Sequence, residues 1–216
     1  MLIQAYILIA LAGYLLGSIP TGYLVARAKG VDIRTVGSGN IGATNAFRVL
    51  GKPAGVFVLL TDAVKGWLAV WVVAIWILNA VLPTDPSDGT RTIAAIIAGL
   101  FAVVGHNYPC WLKFKGGKGI ATSAGVLVAL VPWALIIILS VWIVLVLATR
   151  YVSIGSIAAA VVLPFATWFT TRQDVSLTII TGAMGAMAIY KHKGNIQRLL
   201  AGTESRANFK RKPPAP

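Results

Sequence analysis

The sequence predicts an all-α, polytopic integral membrane protein: a helical bundle of about seven transmembrane segments, N-terminus outside and C-terminus cytoplasmic. Three observations predict it. The chain of 216 residues is 57% hydrophobic and 12% charged, whereas soluble domains carry about 25% charged residues. A soluble protein of this size would need a polar coat that these residues do not supply. Several apolar runs approach or exceed the roughly 20 helical residues that cross a ~30 Å hydrocarbon core. The polar gaps between the runs alternate between basic and non-basic, as the retention of basic loops in the cytoplasm requires.

The apolar segments fall at about 2–26, 54–82, 92–105, 120–131, 133–148, 154–169 and 176–190. The first run, 2–16, lacks a basic leader, and no small-residue cleavage signal closes it, so it reads as a retained span rather than a signal peptide. The basic gaps are 27–52, 106–119, 149–153 and the tail from Lys191 onward. The gaps 83–91 and 170–175 hold Asp85, Asp88 and Asp174 against Arg91 and Arg172. Residues 120–148 read as one long span or as two joined at Val131-Pro132. One span would put the seven basic residues of the tail outside. Two, or a re-entrant hairpin of the same parity, keep every basic gap in the cytoplasm. Residues 1–205 form a single membrane-embedded domain in this reading. The basic, Pro-rich stretch 206–216 is expected to be a disordered cytoplasmic tail. Gly99, Gly125, Gly155 and Gly182 read as packing devices that let membrane helices approach.

The net charge of +13 does not argue for nucleic acid, because loop lysines and arginines orient a membrane protein. Cys110 is the one cysteine, so no intrachain disulfide forms. No metal is expected, since the cytoplasmic gaps carry too few carboxylates, mainly Asp32 and Glu204, to cage magnesium. No other cofactor is expected.

The first constellation is Gly37-Ser38-Gly39-Asn40-Ile41-Gly42-Ala43-Thr44-Asn45, ending in Arg48. Glycines let backbone N–H groups approach a ligand closely. A short helix over about 44–50 should follow, ended by Gly51, and its N-terminus favours an anion. Ser38, Asn40, Thr44 and Asn45 add neutral polar groups. Arg48 adds a fork of donors suited to phosphate. A loop of this composition standing alone reads equally well as a flexible linker.

The second constellation runs from Gly105-His106-Asn107-Tyr108-Pro109 through Lys113-Phe114-Lys115-Gly116-Gly117-Lys118-Gly119 to Thr122. Lys115 and Lys118 flank a Gly-Gly turn at the mouth of the next helix, again an anion site. It is not a P-loop, because the G-x-x-x-x-G-K-[ST] spacing is absent. Juxtamembrane lysines that contact headgroups are the plainer reading, and it suits Lys113 better than Lys118. The third constellation is His192, Asn195, Arg198 and Gly202-Thr203-Glu204, with Ser153 in the preceding basic gap. Asp62 and Lys65 lie inside the second span, where charges pair or serve function. They read as an i, i+3 ion pair or as support for a site. Together these groups converge on the cytoplasmic face and imply two anionic groups beside a place for an acyl chain.

These motifs resemble those of the bacterial acyl-phosphate:glycerol-3-phosphate acyltransferase family. The matching stretches are Gly37-Ser38-Gly39-Asn40 through Arg48, Gly105-His106 through Thr122, His192 through Glu204, and Gly17-Ser18-Ile19-Pro20-Thr21-Gly22. Lys193 departs from the arginine common in the family, which keeps charge but loses the bidentate fork. The resemblance implies a multi-pass inner-membrane enzyme; the chain is expected to function as a monomer among membrane lipids. It would make lysophosphatidic acid from glycerol 3-phosphate, with acyl phosphate as donor. The His-x-x-x-x-Asp motif of other acyltransferases is missing: Trp111 follows His106 by five residues, and Gln197 follows His192 by five. By the resemblance, Ser38, Arg48, Lys118, His106 and His192 are candidate catalytic groups. Gly37, Gly39, Asn40, Thr44, Asn45, Lys115, Gly116, Gly117, Thr122, Ser153 and Asn195 are candidate substrate contacts. The hydroxyl proton would pass to the donor's phosphate or to a histidine.

Two rivals fit less well. A transporter for a phosphate-bearing solute would place polar groups near the bilayer midplane, often between repeats, and no repeat is visible. A headgroup-binding membrane component needs cations, not short polar residues interleaved with glycines.

Overall fold

The computed structural model describes residues 1–207, and these are helical with no strand among them. Helix α1 (Leu2–Gly17) stops before Pro20, and α2 (Thr21–Arg27) resumes after it. The break has a local cause: proline lacks an N–H and disfavours helical geometry in the residue before it. Helix α3 (Ala43–Leu50) occupies the short helix expected in the first loop and ends at Gly51, φ 88°. Helix α4 (Lys52–Leu68) starts with Pro53 in its first turn, where a missing N–H costs nothing. It passes through one π-helical turn (Ala69–Val73) into α5 (Ala74–Val81). Helix α6 (Asp88–Asn107) is capped by Ser87, whose hydroxyl accepts from the Thr90 N–H. A 3₁₀ turn at Cys110–Leu112 leads toward α7 (Ile120–Leu130). Helices α8 (Pro132–Thr149), α9 (Val152–Thr170), α10 (Val175–Lys191) and α11 (Lys193–Leu200) follow among the described residues.

The ambiguous stretch 120–148 is two helices. Val131 leaves helical geometry (φ −144°, ψ 63°) and Pro132 opens α8. Five helical segments are long and apolar enough to cross a membrane: Leu2–Arg27, Lys52–Val81, Asp88–Leu112, Pro132–Thr149 and Val152–Thr170. The other two expected segments, α7 and α10, are apolar but shorter, at 11 and 17 residues. A helix of 11 residues reaches only about 16 Å, so α7 alone falls short of the hydrocarbon thickness. Large apolar side chains face outward along the spans; Phe169 is 79% exposed, Trp76 71% and Leu147 66%. In water such a surface would aggregate; in lipid it is the solvated side.

The chain forms two compact units, residues 1–132 and the residues from 133 onward. In the first, α1 runs along α6 on a seam of small residues. A Cβ on Gly17 would lie 2.0 Å from the Ala102 carbonyl oxygen. Helix α4 meets α7 as closely: a Cβ on Gly125 would sit 1.8 Å from the Ala63 carbonyl. In the second unit α9 packs on α10, and α8 is tied to α9 by the Trp142 indole N–H donating to Ser156 at 3.2 Å. Three of the four glycines expected to pack do so: Gly99 against Val126, Gly125 against Ala63 and Gly155 against Val146. Gly182 does not. Its nearest neighbour would be Pro164 Cβ at 3.8 Å, an ordinary contact that leaves room for alanine. Of the expected tail, 208–216 lies outside the described residues. Its first two residues are tied down, Arg206 Nε donating to the Tyr151 hydroxyl and the Ala207 N–H to the Arg150 carbonyl.

Candidate active site

The first loop is built on its own small core. Ile33 and Ile41 are buried with Ala26, Ala46, Val58 and Leu112. Leu112 immediately precedes Lys113, so this cluster carries the second constellation onto the first. Asp32 pairs with Arg34 at 2.7 Å, and the Arg34 guanidinium lies 4.8 Å from the centre of the Tyr23 ring on α2. The Arg34 side chain beside it holds the Asp32 carboxyl down at about 2.

Asn45 organises the glycine-rich turn. It is 1% exposed. Its Oδ1 accepts from the Ser38 N–H at 2.9 Å, and its Nδ2 donates to the carbonyls of Ile33 and Val36 at 3.2 and 3.1 Å. Both ends of the amide are thus committed to the backbone. Gly37 must be glycine: φ is +62°, and a Cβ would lie 2.3 Å from Asn45 Oδ1. Asn40 closes an Asx turn by accepting from the Gly42 N–H at 2.8 Å, and Gly39 continues the turn at φ +69°. The groups this scaffold leaves at the surface are Ser38, Thr44 and Arg48, all exposed.

The second loop folds back on the end of α6. The Gly116 N–H donates to the Asn107 carbonyl at 3.2 Å and the Gly117 N–H to the His106 carbonyl at 3.0 Å. Gly117 is buried against the His106 ring; a Cβ there would fall 2.0 Å from Nε2. His106 is 5% exposed, and its Nδ1 faces Lys65 Nζ at 3.0 Å. Lys65 Nζ also reaches Asp62 Oδ1 at 2.8 Å and the Ile19 carbonyl at 2.9 Å. Asp62 and Lys65 therefore are the ion pair that their spacing allows, with further partners in the break between α1 and α2 and on α6. Thr122, expected at the substrate, is enclosed at 0% exposure, its carbonyl against Gly66 of α4. Lys115 is exposed and Lys118 half-buried, the latter one residue before Gly119, which starts α7.

In the second unit the polar groups meet at a carboxylate. Glu204 Oε1 accepts from Ser153 Oγ at 2.9 Å and Asn195 Nδ2 at 2.6 Å, and its Oε2 accepts from Arg198 Nε at 2.7 Å. Burial pushes the Glu204 carboxyl up, but these donors outweigh burial and hold it below its ordinary value. Glu204 belongs to the third constellation but carried no expected role of its own. Its signal lay in the sequence as the one acid among the basic residues of the tail. His192 links α10 to α11, 3% exposed, with Nδ1 2.7 Å from the Ala188 carbonyl. A carbonyl only accepts, so this contact puts the proton on Nδ1 and makes Nε2 the basic nitrogen of the neutral ring.

Comparison with known proteins identifies the family of the chain. The family model described as glycerol-3-phosphate acyltransferase matches residues 7–202. The glycerol-3-phosphate acyltransferase of Thermosynechococcus vestitus is 45% identical over 202 residues, covering 92% of this chain and 93% of the relative. That of Syntrophotalea carbinolica is 44% identical over 203 residues, covering 94% and 97%. Among solved structures, the glycerol 3-phosphate form of PlsY, an integral membrane glycerol 3-phosphate acyltransferase, superposes with a TM-score of 0.81. It shares 38% identity, over 94% of this chain and 96% of that one. The lysophosphatidic acid form of the same enzyme gives 0.78. A match through nearly the whole length, at this identity, places the chain in the glycerol-3-phosphate acyltransferase family.

Proposed function

We propose that the chain transfers an acyl group from acyl phosphate to the 1-hydroxyl of glycerol 3-phosphate, giving lysophosphatidic acid and inorganic phosphate, the opening step of bacterial phospholipid synthesis. Acyl phosphate is a mixed anhydride and already activated. The hydroxyl oxygen attacks the acyl carbon, the bond from that carbon to the phosphate oxygen breaks, and phosphate leaves. The hydroxyl proton passes to the departing phosphate or to His192 Nε2. Neither route needs a covalent enzyme intermediate, a metal or another cofactor. Stabilisation of negative charge and positioning of the two reactants then supply the acceleration.

The observation that carries this reading is the first loop. Ser38, Thr44 and Arg48 stand exposed on a backbone that buried Asn45 fixes, which is what a preorganised phosphate site requires. The first N–H groups of α3 have no partner inside their own helix and add to it. Arg48, Lys115 and Lys118, with Ser38, Asn40 and Thr44 and the turn glycines, take the donor's phosphate. Ser153, His192 and Asn195 take glycerol 3-phosphate, with Arg198 beside them. Asn45, His106 and Thr122 support these groups instead of touching substrate. The enzyme works as a single chain in the bacterial inner membrane, with loops 27–52 and 106–119 and the tail on the cytoplasmic side, as the distribution of basic residues favours.

The test is one assay on purified protein in lipid. Glycerol 3-phosphate is supplied with acyl phosphate and, in parallel, with acyl-CoA, while phosphate and lysophosphatidic acid are followed. Product from acyl phosphate alone, slowed about a hundredfold or more by Lys118→Ala, supports the reading. Product from acyl-CoA alone overturns the donor assignment, and product from neither overturns the reaction.

A further inference from the structure

Lys65 is a charged residue inside a membrane span, 3% exposed. An ammonium has three N–H donors, and this one faces three acceptors: Asp62 Oδ1 at 2.8 Å, the Ile19 carbonyl at 2.9 Å and His106 Nδ1 at 3.0 Å. Each acceptor belongs to a different part of the first unit. Ile19 is in the break between α1 and α2, where its carbonyl also accepts from the Thr21 N–H at 3.1 Å. Asp62 is one turn back on α4 and also accepts from Thr21 Oγ1 at 3.1 Å. His106 is in the last turn of α6. An ammonium 3.0 Å from Nδ1 keeps that nitrogen an acceptor, so the neutral ring carries its proton on Nε2, the atom packed against Gly117.

We propose that Asp62, Lys65 and His106 are positioning residues: together they fix the His106 ring, and the ring and its carbonyl fix the Gly116-Gly117 turn that delivers Lys118 to the donor phosphate. The cluster touches no substrate. It rests on the reading of Lys118 as a phosphate ligand. Its action is mechanical and short in range. The ring fills the space where residue 117 would otherwise carry a side chain, and the His106 carbonyl takes the Gly117 N–H at 3.0 Å. A ring free to rotate would open the space it fills against Gly117 and leave the turn held by its backbone bonds alone, one residue before Lys118. Misplacement by about 1 Å of a group that binds reacting atoms costs on the order of a hundredfold in rate, so a few ångströms of freedom in this turn is enough to be read kinetically.

The experiment uses the full chain in lipid nanodiscs with His106→Asn, whose amide oxygen can accept from Lys65 where Nδ1 does, and His106→Leu, which cannot. The expected result is a KM for acyl phosphate raised at least tenfold in His106→Leu with melting temperature unchanged, and His106→Asn within about threefold of wild type. Hydrogen exchange at the Gly116 and Gly117 amides should accelerate at least tenfold in His106→Leu alone. Exchange reads the restraint without any turnover. If wild-type protein makes no product from acyl phosphate while exchange behaves as expected, the functional reading fails and the restraint stands. Wild-type kinetics and exchange in His106→Leu overturn the proposal. Equal inactivity of both variants with unchanged exchange also overturns it, because the ring would then act in the chemistry itself. If His106→Leu does not fold, the apolar double variant Asp62→Leu/Lys65→Met, which leaves no unpaired charge, takes its place with the same expected readings. Failure of that variant to fold as well makes the cluster a determinant of folding and overturns a positioning role.

Discussion

The two units hold their polar residues by different means. In the first, the working loop rests on apolar burial and neutral hydrogen bonds: Ile33, Ile41 and Leu112 underneath, and the Asn45 amide tying Ser38 to Ile33 and Val36. In the second, Ser153, Asn195 and Arg198 are gathered by one ionised carboxylate, Glu204. A carboxamide cannot titrate, and a carboxylate can. The first arrangement therefore has no titrating group at its centre, whereas the second carries a charge whose loss would release three donors together. The first leaves its cation, Arg48, at the surface for an anion to meet. The second already surrounds an anionic group with donors and holds them in the geometry an oxyanion needs.

Four measurements would break or sharpen this contrast. The largest effect should come from Arg48→Ala or Lys118→Ala. Loss of a donor to developing charge costs about 10²–10³ in kcat, and the melting temperature of Arg48→Ala should stay at the wild-type value, since that side chain is exposed. Next is Asn45→Ala. It removes three hydrogen bonds to enclosed backbone groups and should destabilise the first unit by about 2–4 kcal/mol, seen as a lower melting temperature together with lost activity. Asn45→Asp, which cannot donate to the Ile33 and Val36 carbonyls, should not rescue it.

Glu204→Gln should reduce turnover about tenfold by loosening three donors. Its consequence for stability depends on pH in a stated direction. The folded-state value lies below the ordinary 4.5, so the contribution is complete above about pH 4.5 and declines as pH falls through the lowered value. Melting curves of wild type and Glu204→Gln should differ by a constant amount from neutral pH to about 4.5 and converge below it. A difference that vanished already at pH 6 would break the comparison. The smallest effect belongs to Gly182→Ala, which meets only ordinary contact and should change neither activity nor melting temperature. Gly125→Ala, by contrast, drives a Cβ into the Ala63 carbonyl and should abolish folding.

The fold class was legible because lipid imposes a long-range rule on composition: too few charges and long apolar runs admit few structures. The short helix after the first glycine turn was legible for a local reason, a polar N-terminus followed by Gly51. Less could be read of which polar groups face outward. Asn40 and Asn45 sit five residues apart in one motif, and nothing in residue type says that one closes a turn at the surface while the other is enclosed by the turn's own backbone. His106 looked like a base beside a lysine-rich loop. Its neighbour Lys65 is 41 residues away in sequence, and a pairing of that range exists only once the helices have packed. Thr122 was grouped with the loop by proximity, but the first turn of α7 points it into α4. Glu204 was noticed as part of a motif and not as its centre, because a carboxylate in a basic tail reads as charge balance until its three donors are seen on one side chain.

The Lys65 cluster also bears on how this protein enters the bilayer. A lysine at the centre of a span costs roughly 2.5–3.5 kcal/mol in translocon-mediated insertion. Two of its three acceptors lie earlier in the chain: the Ile19 carbonyl is made before the second span, and Asp62 emerges within it, one turn ahead of Lys65. His106 is made later. The second span can thus be accepted with its charge paired against the first hairpin, and the third helix adds its ring to a site that is waiting for it. The order of synthesis and the order of assembly run the same way, so a truncated chain ending after residue 82 should still integrate, and one that also lacks Asp62 should do so less well.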